Sequence, residues 1–158
     1  MIIVDFVAQS DCWPDLSGVK PKIKRAIQTA HELCAIDLPD QSEVALVLSD
    51  DASVQELNAK WRDQDKPTNV LSFANNEGKV TWSPLLGDIV LAYETIDREA
   101  DEQSKPFDHH LIHLCVHGFL HLVGYDHVED AKAVEMERLE TQILAELKIP
   151  DPYTSVND

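Results

Sequence analysis

The strongest constraint on the fold comes from one apolar stretch that also carries histidines, residues 107–123. Pro106 suits the first turn of a helix, because its missing N–H is not needed there. Gly124 suits the left-handed residue that commonly ends a helix. The stretch between them is apolar on most of its sides, and a helix of that kind is buried. The sequence therefore predicts a helix at the centre of the domain.

The rest of the chain predicts an α/β (or α+β) fold, with a single small mixed sheet of about four strands packed against about five helices. Helical spacing of apolar residues indicates the helices, and alternating or β-branched stretches indicate the strands. The predicted strands are 2–8, 42–50, 69–74 and 87–93. The other predicted helices are 19–36, about 51–62, a short acidic one after the fourth strand, and about 129–148, which is expected to bury Met136, Leu139, Ile143 and Leu147. We expect one domain over 1–149 and a loose tail at 150–158.

Three histidines lie close together at the end of the central helix. His117 and His121 are four residues apart, so a helix places both imidazoles on one face, one turn apart. Gly124 lets the chain turn back, and His127 can then approach the same point. Three such ligands leave the fourth corner of a tetrahedron to water, as in a catalytic zinc site. The alternative is a set of ordinary hydrogen-bonded histidines, and three at this spacing favour the metal site.

The same spacing resembles the metzincin pattern H-E-x-x-H-x-x-G-x-x-H of zinc peptidases. In that pattern the Glu after the first His is the general base, and here Gly118 takes its place. We therefore expect either another proton acceptor or a substrate that is not a peptide. His113, one turn before His117, could contact the metal or substrate, support a ligand, or be an ordinary polar residue. Asp126 could orient a ligand histidine or simply form a turn.

The charge balance, taken alone, argues against a protein that binds nucleic acid. The formal net charge is −16, whereas affinity for a phosphate backbone is built from Lys and Arg. The basic residues nevertheless fall into two groups, at 20–25 and 60–66. These groups are either solvated helix faces or a basic surface near the site.

The sequence predicts a cytoplasmic protein without a membrane partner. The N-terminus lacks the basic and apolar regions of a signal peptide. No apolar run approaches the ~20 residues that cross a bilayer. Cys12, Cys34 and Cys115 have no close pairing, which suggests free thiols in a reducing compartment.

Three segments resemble the YbeY family of bacterial metal-dependent endoribonucleases. The chain at 117–127, HGFLHLVGYDH, is similar to the family signature HGxLHLxGYDH. Residues 57–74, LNAKWRDQDKPTNVLSFA, resemble its LN-x-x-(Y/W)R-x-x-(D)KPT-(D/N)-VLSF segment. Residues 86–96, LGDIVLAYETI, resemble its LGDI strand followed by a Glu. The segments follow the family's order and spacing, so the similarity covers nearly the whole domain.

The resemblance implies one metal-dependent endoribonuclease domain at 1–149, with a zinc-type ion bound by His117, His121 and His127. It implies single-strand-specific RNA cleavage, 3′-end maturation of small-subunit ribosomal RNA and a role in ribosome quality control. The implied partners are precursor RNA and the small ribosomal subunit or its associated proteins. We expect the nucleophile to be either water or the RNA's own 2′-hydroxyl. The alternatives are another metallohydrolase, such as a peptidase, or a ribosome-assembly factor with a structural metal.

The resemblance also implies a functional role for Arg62, which we assign to catalysis together with His117. A guanidinium presents a planar fork of donors that matches a phosphate bidentately. The alternative for Arg62 is a salt bridge with Asp63 or Asp65. Asn69 and Ala74 depart from the family pattern, and we expect both to lie away from the site.

Overall fold

The structure is a computed structural model that describes residues 1–34, 36–76, 82–126 and 129–153. Its strands are Ile3–Ala8 (β1), Glu43–Ser49 (β2), Val70–Ala74 (β3) and Leu85–Ala92 (β4). Its helices are Lys20–Cys34 (α1), Asp51–Arg62 (α2), Tyr93–Glu102 (α3), Phe107–Leu122 (α4) and Asp130–Glu146 (α5). Every predicted element is found close to its predicted bounds, and the α/β fold class is confirmed. None of the helices in these ranges is long and apolar enough to cross a membrane.

The sheet is mixed, and its strand order is β1-β2-β4-β3. The strand β2 pairs in parallel with β1 and with β4. At the other edge, β3 pairs antiparallel with β4, so that Leu71 faces Val90 and Ala74 faces Gly87. The edge strands β1 and β3 are therefore three strand spacings apart, or ~14 Å. Charged residues next to β1 therefore lie far from a site built on β3.

The histidine-bearing helix α4 is the centre of the domain, as predicted. It packs against β3 and β4 on one side and against α1, α3 and α5 elsewhere. Its buried residues include Leu111, Ile112, Cys115, Val116, Phe119 and Leu120. Because helices contact it on several sides, an apolar stripe alone could not predict which of its faces meets the sheet.

Gly118 is the point at which α4 comes closest to the sheet. A Cβ atom at this position would lie 2.8 Å from Ile89 Cγ2 and 3.2 Å from Ser72 Oγ. The Gly118 carbonyl also accepts a hydrogen bond from the Ser72 hydroxyl at 3.3 Å. A glutamate therefore has no room at the position where the metzincin pattern places its general base.

Gly87 of β4 is a second position at which neighbouring atoms leave no room for a Cβ atom. Its φ is +142°, a conformation that residues with a Cβ rarely adopt. A Cβ here would overlap the Phe73 carbonyl oxygen and lie 2.9 Å from Leu122 Cδ2. The close pairing of β3 with β4 therefore depends on glycine at this position.

The last helix, α5, buries an acidic residue that the apolar pattern does not predict. Met136 and Ile143 are buried, while Leu139 and Leu147 are partly buried. Glu140 lies between them and is completely buried, with 0% of its surface exposed. Burial of a carboxylate costs free energy unless the carboxylate is paired and hydrogen-bonded. The partners of Glu140 therefore indicate its functional or structural role.

Candidate metal centre and cleft

A cleft of about 850 Å³ opens between β3 and the C-terminal end of α4. His117, His121 and Arg62 all line it. The structure thus brings three of the four predicted site residues to one place. His127, the third predicted metal ligand, lies outside the described residues.

The two histidines point the same ring nitrogen at each other. His117 Nε2 and His121 Nε2 are 3.0 Å apart. On the far side of each ring, Nδ1 meets a group that can only accept: Glu140 Oε1 at 2.6 Å for His117, and the Tyr125 carbonyl oxygen at 3.0 Å for His121. Each Nδ1 therefore carries the proton in the neutral ring, and each Nε2 presents a lone pair.

This arrangement fits a metal ion. Two lone pairs facing each other repel unless a cation or a proton lies between them. Nitrogen ligands ~2.0–2.1 Å from a tetrahedral zinc lie ~3.3 Å from each other, close to the 3.0 Å of this pair. A histidine ligand whose other nitrogen donates to a carboxylate or carbonyl is the usual arrangement in such sites. Within the described residues no group of three possible ligands forms, and the predicted third ligand is outside them.

Glu140 is the functional residue that sequence reasoning missed. Its Oε1 contacts His117 Nδ1 at 2.6 Å and His113 Nε2 at 3.4 Å, and its Oε2 accepts from the Tyr153 hydroxyl at 2.5 Å. Burial alone would raise the pKa of Glu140, but the hydrogen bonds from His113, His117 and Tyr153 and the charge of His117 lower it to about 2. The carboxylate therefore stays ionised near neutral pH.

Tyr153 is the donor that completes the contacts of this carboxylate. Burial, and then its hydrogen bond to Glu140, raise the pKa of the Tyr153 hydroxyl far above its ordinary value, so the hydroxyl keeps its proton. Tyr153 falls within the predicted tail at 150–158, of which residues 154–158 lie outside the described residues. The boundary between domain and tail stays a prediction.

His113 contacts the carboxylate and not the cleft. Its Nε2 is 3.3 Å from the Tyr153 hydroxyl and 3.4 Å from Glu140 Oε1. Since Glu140 meets the Nδ1 side of His117, His113 lies on the side away from the paired Nε2 atoms. Of its predicted roles, the structure favours support of a ligand over contact with the metal.

Arg62 lies at the end of α2 and reaches across the edge strand β3. Its Nη2 donates to the Ser72 carbonyl at 2.8 Å, and its guanidinium lies 5.0 Å from the centre of the Phe73 ring. Among the described contacts it forms no ion pair with Asp63 or Asp65. The salt-bridge alternative is therefore wrong, and Arg62 is held at the cleft wall by backbone and ring contacts.

The structure also shows where three other residues named in the sequence analysis lie relative to the cleft. Asn69 and Ala74 both line the cleft, so the expectation that they lie away from it is wrong, because the whole edge strand forms the wall. Asp126 also lines the cleft, with Oδ2 3.9 Å from Lys132 Nζ. Cys115 is buried, and burial raises the pKa of its thiol.

The two basic groups differ in their distance from the cleft. Lys20 and Lys24 lie over the Phe6 ring of β1, at 5.1 and 6.0 Å, on the sheet edge opposite β3. No residue of 20–25 lines the cleft in the described structure, so the expectation that this group adjoins the site is wrong. The group at 60–66 contributes Arg62 to the cleft wall.

The fold and the cleft define an α/β protein in which one cleft is lined by an arginine and by two histidines whose Nε2 atoms face each other. The sequence pattern of the family described as Endoribonuclease YbeY matches residues 13–148. An endoribonuclease YbeY of Bradyrhizobium sp. strain BTAi1 is 53% identical over 154 residues, which cover 94% of this chain and 90% of that protein. One of Bradyrhizobium diazoefficiens is 52% identical over 156 residues, covering 96% and 85%. The chain belongs to the Endoribonuclease YbeY family.

A solved structure shows the same fold. The solution structure of TM1509 from Thermotoga maritima superposes with a TM-score of 0.57 and covers 96% of this chain and 99% of that one. The two sequences are 22% identical, so this likeness is evidence for the fold alone.

Proposed function

We propose that this chain is a metal-dependent endoribonuclease that cleaves single-stranded RNA during 3′-end maturation of small-subunit ribosomal RNA and in ribosome quality control. Its family supports the endoribonuclease activity. The observation that carries the proposal is the convergence of two histidine Nε2 atoms and one arginine on a single cleft. We further propose zinc as the ion, with His127 as the third ligand.

The residues of the cleft divide the work between metal binding and phosphate binding. His117 and His121 present their Nε2 lone pairs, and Glu140 and the Tyr125 carbonyl hold the two rings in that tautomer. A bound zinc ion supplies a Lewis acid for a phosphoryl oxygen and makes a nearby water more acidic. Arg62 offers its planar donors to the same phosphate. The Ser72 carbonyl and the Phe73 ring fix the position of the guanidinium.

The polar wall formed by β3 suits a single strand of RNA. Thr68, Asn69 and Ser72 line the cleft together with the aromatic residues Phe73 and Trp82. Hydroxyl and amide groups contact phosphates and sugars, and aromatic rings stack on unpaired bases. A base-paired duplex keeps its bases in the stack, so we propose that unpaired RNA is the substrate.

The net charge of −16 indicates that the isolated protein binds RNA weakly. We propose that the small ribosomal subunit, or a protein bound to it, supplies the remaining affinity and the choice of cleavage position. A cytoplasmic location follows from that partner and agrees with the free state of Cys12, Cys34 and Cys115.

The proposal is tested by incubating the zinc-loaded protein with precursor ribosomal RNA, with the same RNA annealed to a complementary strand, and with a peptide library. We expect cleavage of the unpaired RNA alone. A 2′,3′-cyclic phosphate at the new end would assign the attack to the 2′-hydroxyl, and a 3′-hydroxyl end with a 5′-phosphate on the other fragment would assign it to water. Equal cleavage of paired and unpaired RNA, or cleavage of peptides, would contradict the proposal.

A further inference from the structure

We propose that Glu140 and Tyr153 are positioning residues that set the affinity of the histidine site for its metal. The segment after α5, which carries Tyr153, therefore contributes to that site. The inference rests on the metal-dependent function proposed above. It concerns two residues that touch neither the cleft nor the substrate and act through His117.

The first step is the contact between Glu140 and His117. The carboxylate is completely buried, and its Oε1 lies 2.6 Å from His117 Nδ1. An apolar residue would fill this position on α5 without the desolvation cost of a charge. A buried carboxylate at the back of a ligand histidine fixes the tautomer and the ring orientation and makes the opposite nitrogen a stronger donor to the metal.

The second step is the contact between Tyr153 and the other carboxylate oxygen. The Tyr153 hydroxyl donates to Glu140 Oε2 at 2.5 Å, and its ring packs edge-on against His113 at 5.5 Å between centroids. Since Oε1 is bound to His117 and Oε2 to Tyr153, rotation of the carboxylate about its own axis breaks at least one of these short bonds. Tyr153 therefore controls the direction in which Oε1 points.

The third step is the way the chain holds Tyr153. The residue follows α5, and its backbone N–H donates to Asp151 Oδ1 at 2.8 Å. Asp151 also accepts from the Thr141 hydroxyl on α5 at 3.4 Å. Tyr153 is 45% exposed, so its ring is anchored through its hydroxyl and its contact with His113 and not by deep burial. Loss of the hydroxyl consequently changes the support of His117 without opening a cavity in the core.

The test is the zinc affinity of purified full-length protein, measured without RNA by competition with a chromogenic chelator. The variants are Tyr153→Phe and Glu140→Gln. The matched controls are Tyr93→Phe, whose ring packs on Trp13 and Phe107, and Glu146→Gln, an exposed residue of α5. We expect Glu140→Gln to weaken zinc binding by ~10- to 100-fold, and Tyr153→Phe by several-fold, as loss of a ligand's supporting partners does. Both controls should match the wild type.

A second measurement separates positioning from a general loss of stability. Imidazole NMR of the metal-free protein reports the tautomer of His117 and the hydrogen bond at its Nδ1. We expect the His117 signals to shift in Tyr153→Phe and to stay unchanged in Tyr93→Phe. Should Glu140→Gln not fold, Tyr153→Phe carries the test alone.

Wild-type zinc affinity and unchanged His117 signals in folded Tyr153→Phe would overturn the inference, and so would a wild-type protein that binds no zinc. A wild type that shows the expected order of zinc affinities but does not cut RNA would contradict the proposed function and leave the role of Glu140 and Tyr153 standing.

Discussion

Gly87 lies in β4, next to the strand β3 that forms the cleft wall. Its replacement by alanine is a direct test of the close packing between these two strands. The residue has φ +142° and pairs with Ala74 of β3. The added Cβ would overlap the Phe73 carbonyl oxygen, a backbone atom that no side-chain rotation can move. Accommodation of the new methyl group therefore requires β3 to separate from β4 or β4 to change its backbone conformation.

The expected cost of Gly87→Ala has two parts that oppose a smaller gain. A residue with a Cβ in a sparsely populated backbone region costs ~1–3 kcal/mol. Overpacking against fixed neighbours costs a further ~1–3 kcal/mol. Lower entropy of the unfolded chain returns ~0.4–1 kcal/mol. We expect a net loss of at least ~1 kcal/mol in the free energy of unfolding, which for a chain of this size lowers Tm by at least ~2 °C.

The assay is urea and thermal unfolding of Gly87→Ala beside Gly18→Ala. A Cβ at Gly18 would meet no atom within 4 Å, so its unfolding free energy should stay within ~0.5 kcal/mol of the wild type. Because β3 carries the Ser72 carbonyl that holds Arg62, RNA cleavage by Gly87→Ala should also fall at temperatures where it is folded. Equal stability of the two variants would refute the packing argument.

Two further predictions concern Gly118 of α4 and the buried Glu140 of α5. In Gly118→Ala the new Cβ would lie 2.8 Å from Ile89 Cγ2. We expect this clash to outweigh the ~1 kcal/mol by which alanine favours a helix over glycine. Calorimetry should therefore show a lower Tm than that of the wild type, and a higher Tm would disprove the close approach of α4 to the sheet. The pKa of Glu140 is lowered from 4.5 to about 2, so its contribution to stability is complete above about 4.5 and is lost as the pH falls towards 2. The unfolding free energy of Glu140→Gln should therefore change less with pH across this window than that of the wild type. The same pH dependence in both proteins would contradict a buried, ionised Glu140.

Much of the fold could be predicted because its signals are local. Pro106, the apolar run after it and Gly124 are close in sequence, and they marked α4 with nearly correct ends. The spacing of His117 and His121 placed two rings on one helix face, where the structure has them. Strand order was not predictable, because it depends on which strands pair and not on the pattern within any strand.

The residues that sequence reasoning missed are those whose partners are distant in the chain. Glu140 is 23 residues from His117, and its only local signal is an acidic residue on the apolar face that carries Met136 and Ile143. Tyr153 lies in a segment that looked like a tail, because a single hydrogen bond leaves no periodic pattern. Arg62 has Asp63 and Asp65 as sequence neighbours, yet it bonds to Ser72 across the edge of the sheet.

In the proposed mechanism, metal binding and phosphate binding are separate functions of one cleft. RNA cleavage and zinc content should be measured together for the wild type, His117→Ala and Arg62→Ala, on one unpaired precursor RNA. We expect His117→Ala to lose both zinc and cleavage. Arg62→Ala should keep its zinc and lose ~100- to 1000-fold in cleavage rate, as removal of one preorganised donor to a reacting oxyanion does. Equal cleavage by all three proteins would contradict the account, because the activity would then not come from this site.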